Sequence, residues 1–590
     1  MVCYNVNEIL GLEEYVFRSG RRLFMLQKIV ADLMGITGEF CDRRIQKTCS
    51  NPLYYNERLL KQILKRQKNT EFGKRHGFSA IENLEEFRRK VPLSTYSDYQ
   101  EDVERMMNGE KNILMKGNPV AYCESSGTTG KSKVVPASSQ FAWQVFFAGT
   151  PFLGYYYAKR DGLDHIGSIR RKLAAYASFA EIYMTPTGKP IVDVIALMAD
   201  RSKVGLRVIG SIPVESTFCS EYHDTMYVML LFNLMNPDLF LYVSSYVTDL
   251  CEIVNYLFDH QKRLLHDMRE GKISDDVDLP EALRRKLNKK LSPRPQQADE
   301  LQRILAENNR SGILKRIFPR LQIIFSIGGY SGDLSQQTKI CRNYAGEKIR
   351  FLFLSHAAAE GQYGLARFFD QDVYTPSVRS TFMEFIPIDD RECVGTEIYT
   401  VDQLEVGKKY ELIITNCSGL YRYRTFDVIL VTGKEKQMPL YKVLGRSNQT
   451  LNLCGEKTTA EQLDSAVTQA LRQLNLELIH YMATVDFFNN TGRYCIYMEL
   501  AGALECVDVR EMETMINKLL GKTNSMYLDA CKTRSVKPLE IRLLIPGSCS
   551  EVYRQRHMSQ NHGGNNVKIP VIFHDEATRE FFDKNCILRR

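Results

Sequence analysis

The chain has 590 residues, 44% hydrophobic and 25% charged, with 78 basic and 70 acidic side chains and a net charge of +8. This length exceeds a single hydrophobic core, so two or more domains are expected, and the composition is that of an ordinary soluble globular protein. With no dense Lys/Arg block and no RNA-binding signature, the small positive excess argues against a nucleic-acid partner.

Fifteen scattered cysteines without a C-x-x-C pair, and no H-E-x-x-H, argue against a disulfide framework or a zinc site. They point to reduced thiols in a cytoplasmic setting. Met1 to Leu12 carries Asn5, Asn7 and Glu8 where a signal peptide needs apolar residues. The most apolar region, Met226 to Val247, is interrupted by Asn233, Asn236, Pro237 and Asp238. It reads as buried helices, so no transmembrane segment is expected.

In chain order, residues 13–110 read as helical, with Leu59, Leu60, Ile63 and Leu64 at helical spacing. Next comes Ser125-Ser126-Gly127-Thr128-Thr129-Gly130-Lys131-Ser132-Lys133 between two short apolar runs. Small residues let backbone N–H groups approach a phosphate, and hydroxyls and lysines add donors and charge. A P-loop needs its first glycine at position 125, which is serine, so that reading fails on spacing. The pattern that remains is the S-G-T-T-G-x-x-K of adenylate-forming enzymes.

Residues 220–272 read as helical, with Val247, Leu250, Val254 and Leu257 in register. Residues 276–312 read as a helix-rich surface excursion. Strand-like runs follow at Leu321–Ile327, Arg350–Leu354, Glu411–Thr415 and Val428–Thr432, a pattern that suits an α/β sheet with sites at strand ends.

Three further segments carry chemistry. In Leu354-Ser355-His356-Ala357-Ala358-Ala359-Glu360-Gly361, the Glu360 carboxylate sits among small residues, suited to the Mg²⁺ that bridges ATP phosphates, with His356 placed to cover an adenine face. Between Thr415 and Val428, Asp427 is placed to accept from ribose hydroxyls, and Arg424 or Arg422 to pair with phosphate or Glu360. Gly445–Lys457, containing Arg446 and Gln449, falls where the composition changes and reads as an interdomain hinge. Beyond it, Thr458-Thr459-Ala460-Glu461 reads as a capping box before a helix through Leu463, Val467, Leu471 and Leu474. A hairpin turning at Asn489–Gly492, a helix over 509–520 and a strand at Leu539–Ile545 complete a compact α+β unit.

With these segments in order, the chain resembles the adenylate-forming superfamily of acyl-CoA synthetases, nonribosomal adenylation domains and luciferase. It resembles more closely the Gretchen Hagen (auxin-responsive) family of acyl-acid amido synthetases and its relatives outside plants. Asn69–Gly73, His76–Phe78, Val91–Leu93, Met107–Glu110, Ser125–Pro136 and Thr415–Arg424 carry the closer likeness. The resemblance implies an α/β fold, with a large N-terminal adenylate-forming domain of β-sheets and packed helices over 1–445, its first 50 residues a helical lead-in. A small mobile α+β domain would occupy 446–590.

It also implies the cofactors ATP and Mg²⁺, a small-molecule carboxylic acid, and an amine or amino acid. Ser125, Ser126, Gly127, Thr128, Thr129, Gly130 and Lys133 would then hold phosphates, and Glu360 would hold Mg²⁺. His356, Ala359, Arg424, Asp427 and Arg446 would complete the ATP site, with Arg446 and Gln449 at the hinge. Lys568, in a glycine-containing loop ending Lys568-Ile569-Pro570, would swing in to stabilise charge on the α-phosphate. The chain departs from the family pattern at His356, at Ala359, where a hydroxyl is lost, at Phe426, where a glycine turn is lost, and at Gln449 and Val571. An amido synthetase, an acyl-CoA ligase and a nucleotide binder without chemistry all stand on this likeness.

Overall fold

The computed structural model describes residues 20–588 apart from 125–132, 148–150, 164–173, 177–182, 193, 195–209, 214, 217–221, 329–334, 390–391, 394–396, 448–449, 452, 454–455, 457, 489–490, 503–506, 533–535, 553–569 and 575.

Among the described residues, helices Gly20–Cys49 and Pro52–Gln67 come first. The second starts where Asn51 accepts from the Tyr54 N–H and proline occupies the first turn, whose missing donor is of no consequence there. It buries Leu59, Leu60, Ile63 and Leu64. Shorter helices at Glu71–Arg75, Leu84–Lys90 and Gln100–Met107 follow, the first two capped by Thr70 and Asn83.

Residues 220–272 are not wholly helical. Helices Tyr222–Leu234 and Val247–Asp259 flank a strand, Leu241–Tyr246. Pro237 ends the helical pattern, and the short aromatic and β-branched run after it suits a buried strand. That strand lies between Ala174–Tyr176 and Ile323–Ile327, with Arg350–Phe353 beyond, all parallel. Helix Ser335–Ala345 crosses between the last two strands and packs beside Val247–Asp259. Their contact joins Cys251 to Cys341 in a disulfide with a Cα–Cα separation of 5.7 Å. The expectation of reduced thiols fails for this pair, because two cysteines 90 residues apart are brought together only by helix packing.

Eight antiparallel strands form the second large sheet, ordered Glu392–Cys393, Phe382–Asp389, Lys409–Thr415, Tyr423–Glu435, Met438–Arg446, Tyr374–Pro376, Gly361–Ala366 and Ser355–Ala358. The 276–312 segment folds back through buried Leu283, Leu287, Leu301 and Leu305 on helices Glu281–Asn288 and Pro295–Ala306.

A separate core begins at Leu451, whereas Tyr441 is the last member of the large one. It packs helices Ala460–Gln473 and Val509–Thr523 against the sheet Leu478–Phe488, Thr491–Leu500, Val536–Leu544 and Cys586–Leu588. The capping box is shifted one residue from the sequence reading. Gln462, at the third helical position, reaches back to the Thr459 N–H, and the Thr459 hydroxyl accepts from the Gln462 N–H. No helix of the described residues is long and apolar enough to cross a membrane.

Candidate nucleotide and acyl-transfer site

Glu360 lies in the turn joining strands Ser355–Ala358 and Gly361–Ala366, and is buried. Its carbonyl accepts from Asn416 Nδ2 at 2.6 Å. Asn416 Oδ1 in turn accepts from the Ser418 and Leu420 N–H groups, at 2.8 and 3.1 Å. This asparagine-centred turn needs Gly419 at φ +106, where an added Cβ would lie 2.6 Å from Leu114 Cβ. Gln67 and the motif residue Phe72 brace the same turn. Gln67 donates to the Cys417 carbonyl at 3.1 Å, and Phe72 stacks on Tyr421 at 4.5 Å between centroids.

Tyr423 links Glu360 to Lys133. The Tyr423 hydroxyl donates to Glu360 Oε1 at 3.1 Å and accepts from Lys133 Nζ at 3.4 Å. Burial holds the Tyr423 phenol well above its ordinary range, reinforced by the Glu360 charge, so it stays a donor. Lys133 follows the segment 125–132 and precedes strand Val134–Ala137, which pairs with Ala121–Glu124. Tyr96 fixes its position, the hydroxyl donating to the Val134 carbonyl at 3.0 Å and accepting the Val134 N–H at 3.1 Å. Burial lowers the Lys133 pKa, opposed by Glu360.

Asp427 reaches the site through a bulge. Register passes from Glu411↔Val428 to Ile413↔Arg424, leaving Thr425, Phe426 and Asp427 opposite Leu412 alone. Phe426 takes φ +64, so the conformation that favours glycine is kept although the glycine is gone. The Thr425 hydroxyl donates to the Leu412 carbonyl at 2.8 Å and accepts the Asp427 N–H at 3.0 Å. One Asp427 oxygen pairs with Arg446 Nε at 3.2 Å and the other with His356 Nε2 at 3.1 Å. An ionised carboxylate only accepts, so Nε2 carries the proton, and Nδ1 accepts from the Tyr441 hydroxyl 3.1 Å away.

Not every residue singled out in the sequence gathers here. Arg424 forms a two-point pair with buried Glu411 at 2.7 and 2.9 Å, so the structure turns it toward that carboxylate and not toward Glu360. Arg422 pairs with buried Glu384 at 2.9 Å and donates to the Val91 carbonyl. His356 uses both ring nitrogens inside the sheet, bridging Asp427 and Tyr441, so its described contacts orient Asp427. Ser125, Ser126, Gly127, Thr128, Thr129, Gly130, Gln449 and Lys568 lie outside the described residues. Sequence reasoning gave no role to Asn416, Tyr96, Tyr423 or Tyr441. The aromatic alternation Tyr421-Arg422-Tyr423 was the available signal for Tyr423.

Two cations, Lys133 and Arg446, thus share one locality with two carboxylates, Glu360 and Asp427. Among the described residues no group of three or more His, Cys, Asp or Glu side chains could hold a metal by itself. A single buried carboxylate suits a magnesium ion that takes its other ligands from substrate phosphates and water.

Family models match the chain in three consecutive blocks: the GH3 family N-terminal domain over residues 41–348, its central domain over 374–446 and its C-terminal domain over 461–577. The chain is similar to the indole-3-acetic acid-amido synthetase GH3.17 of Arabidopsis thaliana, 27% identical over 92% of this chain and 95% of that one. It is 26% identical to the Arabidopsis thaliana indole-3-acetic acid-amido synthetase GH3.3, over 92% and 93%. Its fold is similar to that of the GH3.15 acyl acid amido synthetase solved in complex with 2,4-DB, with a TM-score of 0.82, 21% identity and coverage of 93% and 96%.

Proposed function

As a member of the GH3 family, this chain is, we propose, an ATP-dependent acyl-acid amido synthetase. The observation that carries this reading is the meeting of Lys133, Tyr423 and Glu360 beside the Asp427–Arg446 pair, on a chain matched by all three family domains. In the first half-reaction a substrate carboxylate oxygen attacks the α-phosphorus of ATP, and the bond to pyrophosphate breaks. In the second, an amine nitrogen attacks the acyl carbonyl and loses its proton, and AMP leaves with the phosphate oxygen. Indole-3-acetic acid and 2,4-DB, named for the relatives, are the first acids to test.

The chain's residues divide this work. Lys133 presents an ammonium to the phosphates, joined by backbone and hydroxyl donors of Ser125, Ser126, Gly127, Thr128, Thr129 and Gly130. Glu360 would hold Mg²⁺, which when bound neutralises phosphate charge. Asp427, ion-paired with Arg446 and accepting from His356, is the carboxylate we assign to the ribose hydroxyls. Ala359, buried and without a hydroxyl, contributes backbone only. Lys568 is assigned to the α-phosphate, and its neutralising charge would act where negative charge builds up in transfer.

We divide the chain into a nucleotide- and acyl-binding domain over 1–445 and a mobile domain over 446–590, with the hinge at Arg446 and Gln449. The scatter of the cysteines, without a C-x-x-C pair, supports a cytoplasmic location, and the Cys251–Cys341 disulfide counts against it.

The test is ATP–pyrophosphate exchange with pooled carboxylic acids, comparing the native chain with Glu360→Ala. Acid-dependent exchange lost in the variant supports the reading. ATP binding without exchange in any pool would favour the non-catalytic alternative, and discharge of the adenylate by CoA and by no amine would favour the ligase.

A further inference from the structure

A cavity of about 970 Å³ opens between the helices Gly20–Cys49 and Pro52–Gln67 and the turn at 376–380. It is lined by none of Lys133, Glu360, His356, Asp427 and Arg446, and by no residue of 220–272. Its walls are apolar: Ile36, Phe40, Leu59, Leu365, Val378 and Trp143. Ile36, Phe40 and Trp143 are 63%, 58% and 47% exposed, a cluster of large apolar side chains at the surface.

The polar lining is of one sign. Arg44, Arg58 and Arg379 all face the cavity, and no acidic side chain of the described residues does. Arg379 lies 4.1 Å over the Tyr55 ring. Its pKa is lowered by burial and then by the neighbouring charge of Arg44 and, more weakly, Arg58. Clustered guanidinium groups repel one another. An anion placed among them would relieve that repulsion, while a tail along the wall would cover the exposed rings.

We propose that this cavity binds an amphiphilic anion, with an apolar chain against Phe40 and Trp143 and a carboxylate or phosphate head at Arg44, Arg58 and Arg379. It is separate from the proposed nucleotide and acyl site.

Trp143 is the single tryptophan of the chain and lies on the cavity wall, so intrinsic fluorescence of the full-length protein reports occupancy directly. The probes are laurate, dodecyl phosphate and dodecanol, each below its aggregation concentration. A saturable change is expected with laurate or dodecyl phosphate, and the tighter of the two identifies the head group. Dodecanol should bind at least about tenfold more weakly, and the Arg44→Ala/Arg379→Ala double variant should weaken anion binding by about tenfold or more. Arg44 and Arg58 are exposed, so Arg44→Glu and Arg58→Glu test the charge without touching the core and should weaken binding as much at an unchanged melting temperature. No saturable change with either anion, equal affinity for dodecanol, or undiminished binding by the Glu variants would overturn the proposal. Acid-dependent pyrophosphate exchange should survive in Arg44→Glu. Its loss would make the cavity the acyl-substrate site and overturn the separation.

Discussion

The Tyr423 hydroxyl bridges the ammonium of Lys133 and the carboxylate of Glu360, 3.4 Å from one and 3.1 Å from the other. The cation assigned to phosphate and the carboxylate assigned to Mg²⁺ therefore sit in the same locality, linked by one hydroxyl. Tyr423→Phe should preserve the fold and remove this link. Loss of a hydrogen bond to a charged group, about 1.5–3 kcal/mol, predicts a roughly 10–100-fold fall in pyrophosphate exchange. Exchange at the native rate would show that the link has no part in the chemistry.

Glu360→Gln keeps the shape of the turn and the acceptor for Tyr423 while removing the charge. Exchange should become insensitive to added Mg²⁺ and fall by more than in Tyr423→Phe, with the melting temperature changed little. A variant as active and as Mg²⁺-responsive as the native chain would remove Glu360 from the metal site.

Burial lowers the Lys133 pKa, so the lysine loses its proton on the alkaline side earlier than an ordinary lysine. ATP affinity should weaken as pH rises through that lowered value, before pH 10.5. Stability moves the other way: between the lowered folded value and the unfolded one the unfolded chain binds more protons, so stability rises with pH in that window. Lys133→Arg should remove the alkaline loss of ATP affinity. An identical alkaline limb in the variant would assign it to another group.

Arg424→Ala strands the Glu411 carboxylate, which is wholly buried and otherwise bonded by the Ser447 hydroxyl. A loss on the order of 3 kcal/mol of stability is expected, with the Michaelis constant for ATP changed little in the protein that remains folded. A large rise in that constant at native stability would return Arg424 to the nucleotide site.

At φ +64, Phe426 is the position where side-chain choice is set by backbone shape. Phe426→Gly should leave exchange within about threefold and stability within about 1 kcal/mol, because glycine takes this conformation without strain but forfeits the contact with Arg424. Phe426→Val should lose about 1–2 kcal/mol, since a branched side chain is disfavoured there. Exchange in Phe426→Val should also fall with Asp427 displaced. Denaturant melts and exchange rates on the two variants check both.

Much of this site was legible because its chemistry is local. Glu360 stands among alanines and a glycine, Asp427 precedes a β-branched run, and Lys133 closes a run of small residues. The pairing of arginines was not legible. Arg422, Arg424 and Arg446 are equivalent as letters, and only strand register gives Glu384 to the first, Glu411 to the second and Asp427 to the third. The strand Leu241–Tyr246 was hidden for a related reason: an apolar run buried on both faces has no alternation to distinguish it from a buried helix. Phe426 shows the opposite limit. A lost glycine suggested a lost turn, yet the bulge held by Thr425 imposes the glycine conformation on a phenylalanine.

Asp427 and Arg446 are register partners as well as an ion pair, and theirs is the terminal rung of the ladder between strands Tyr423–Glu435 and Met438–Arg446. The first residue of the small C-terminal unit, in the division proposed above, is therefore tethered to the carboxylate assigned to the nucleotide's sugar. A ribose bound at Asp427, as assigned above, would share that carboxylate with Arg446, and the sugar and the proposed pivot of the small unit would then be coupled through one side chain.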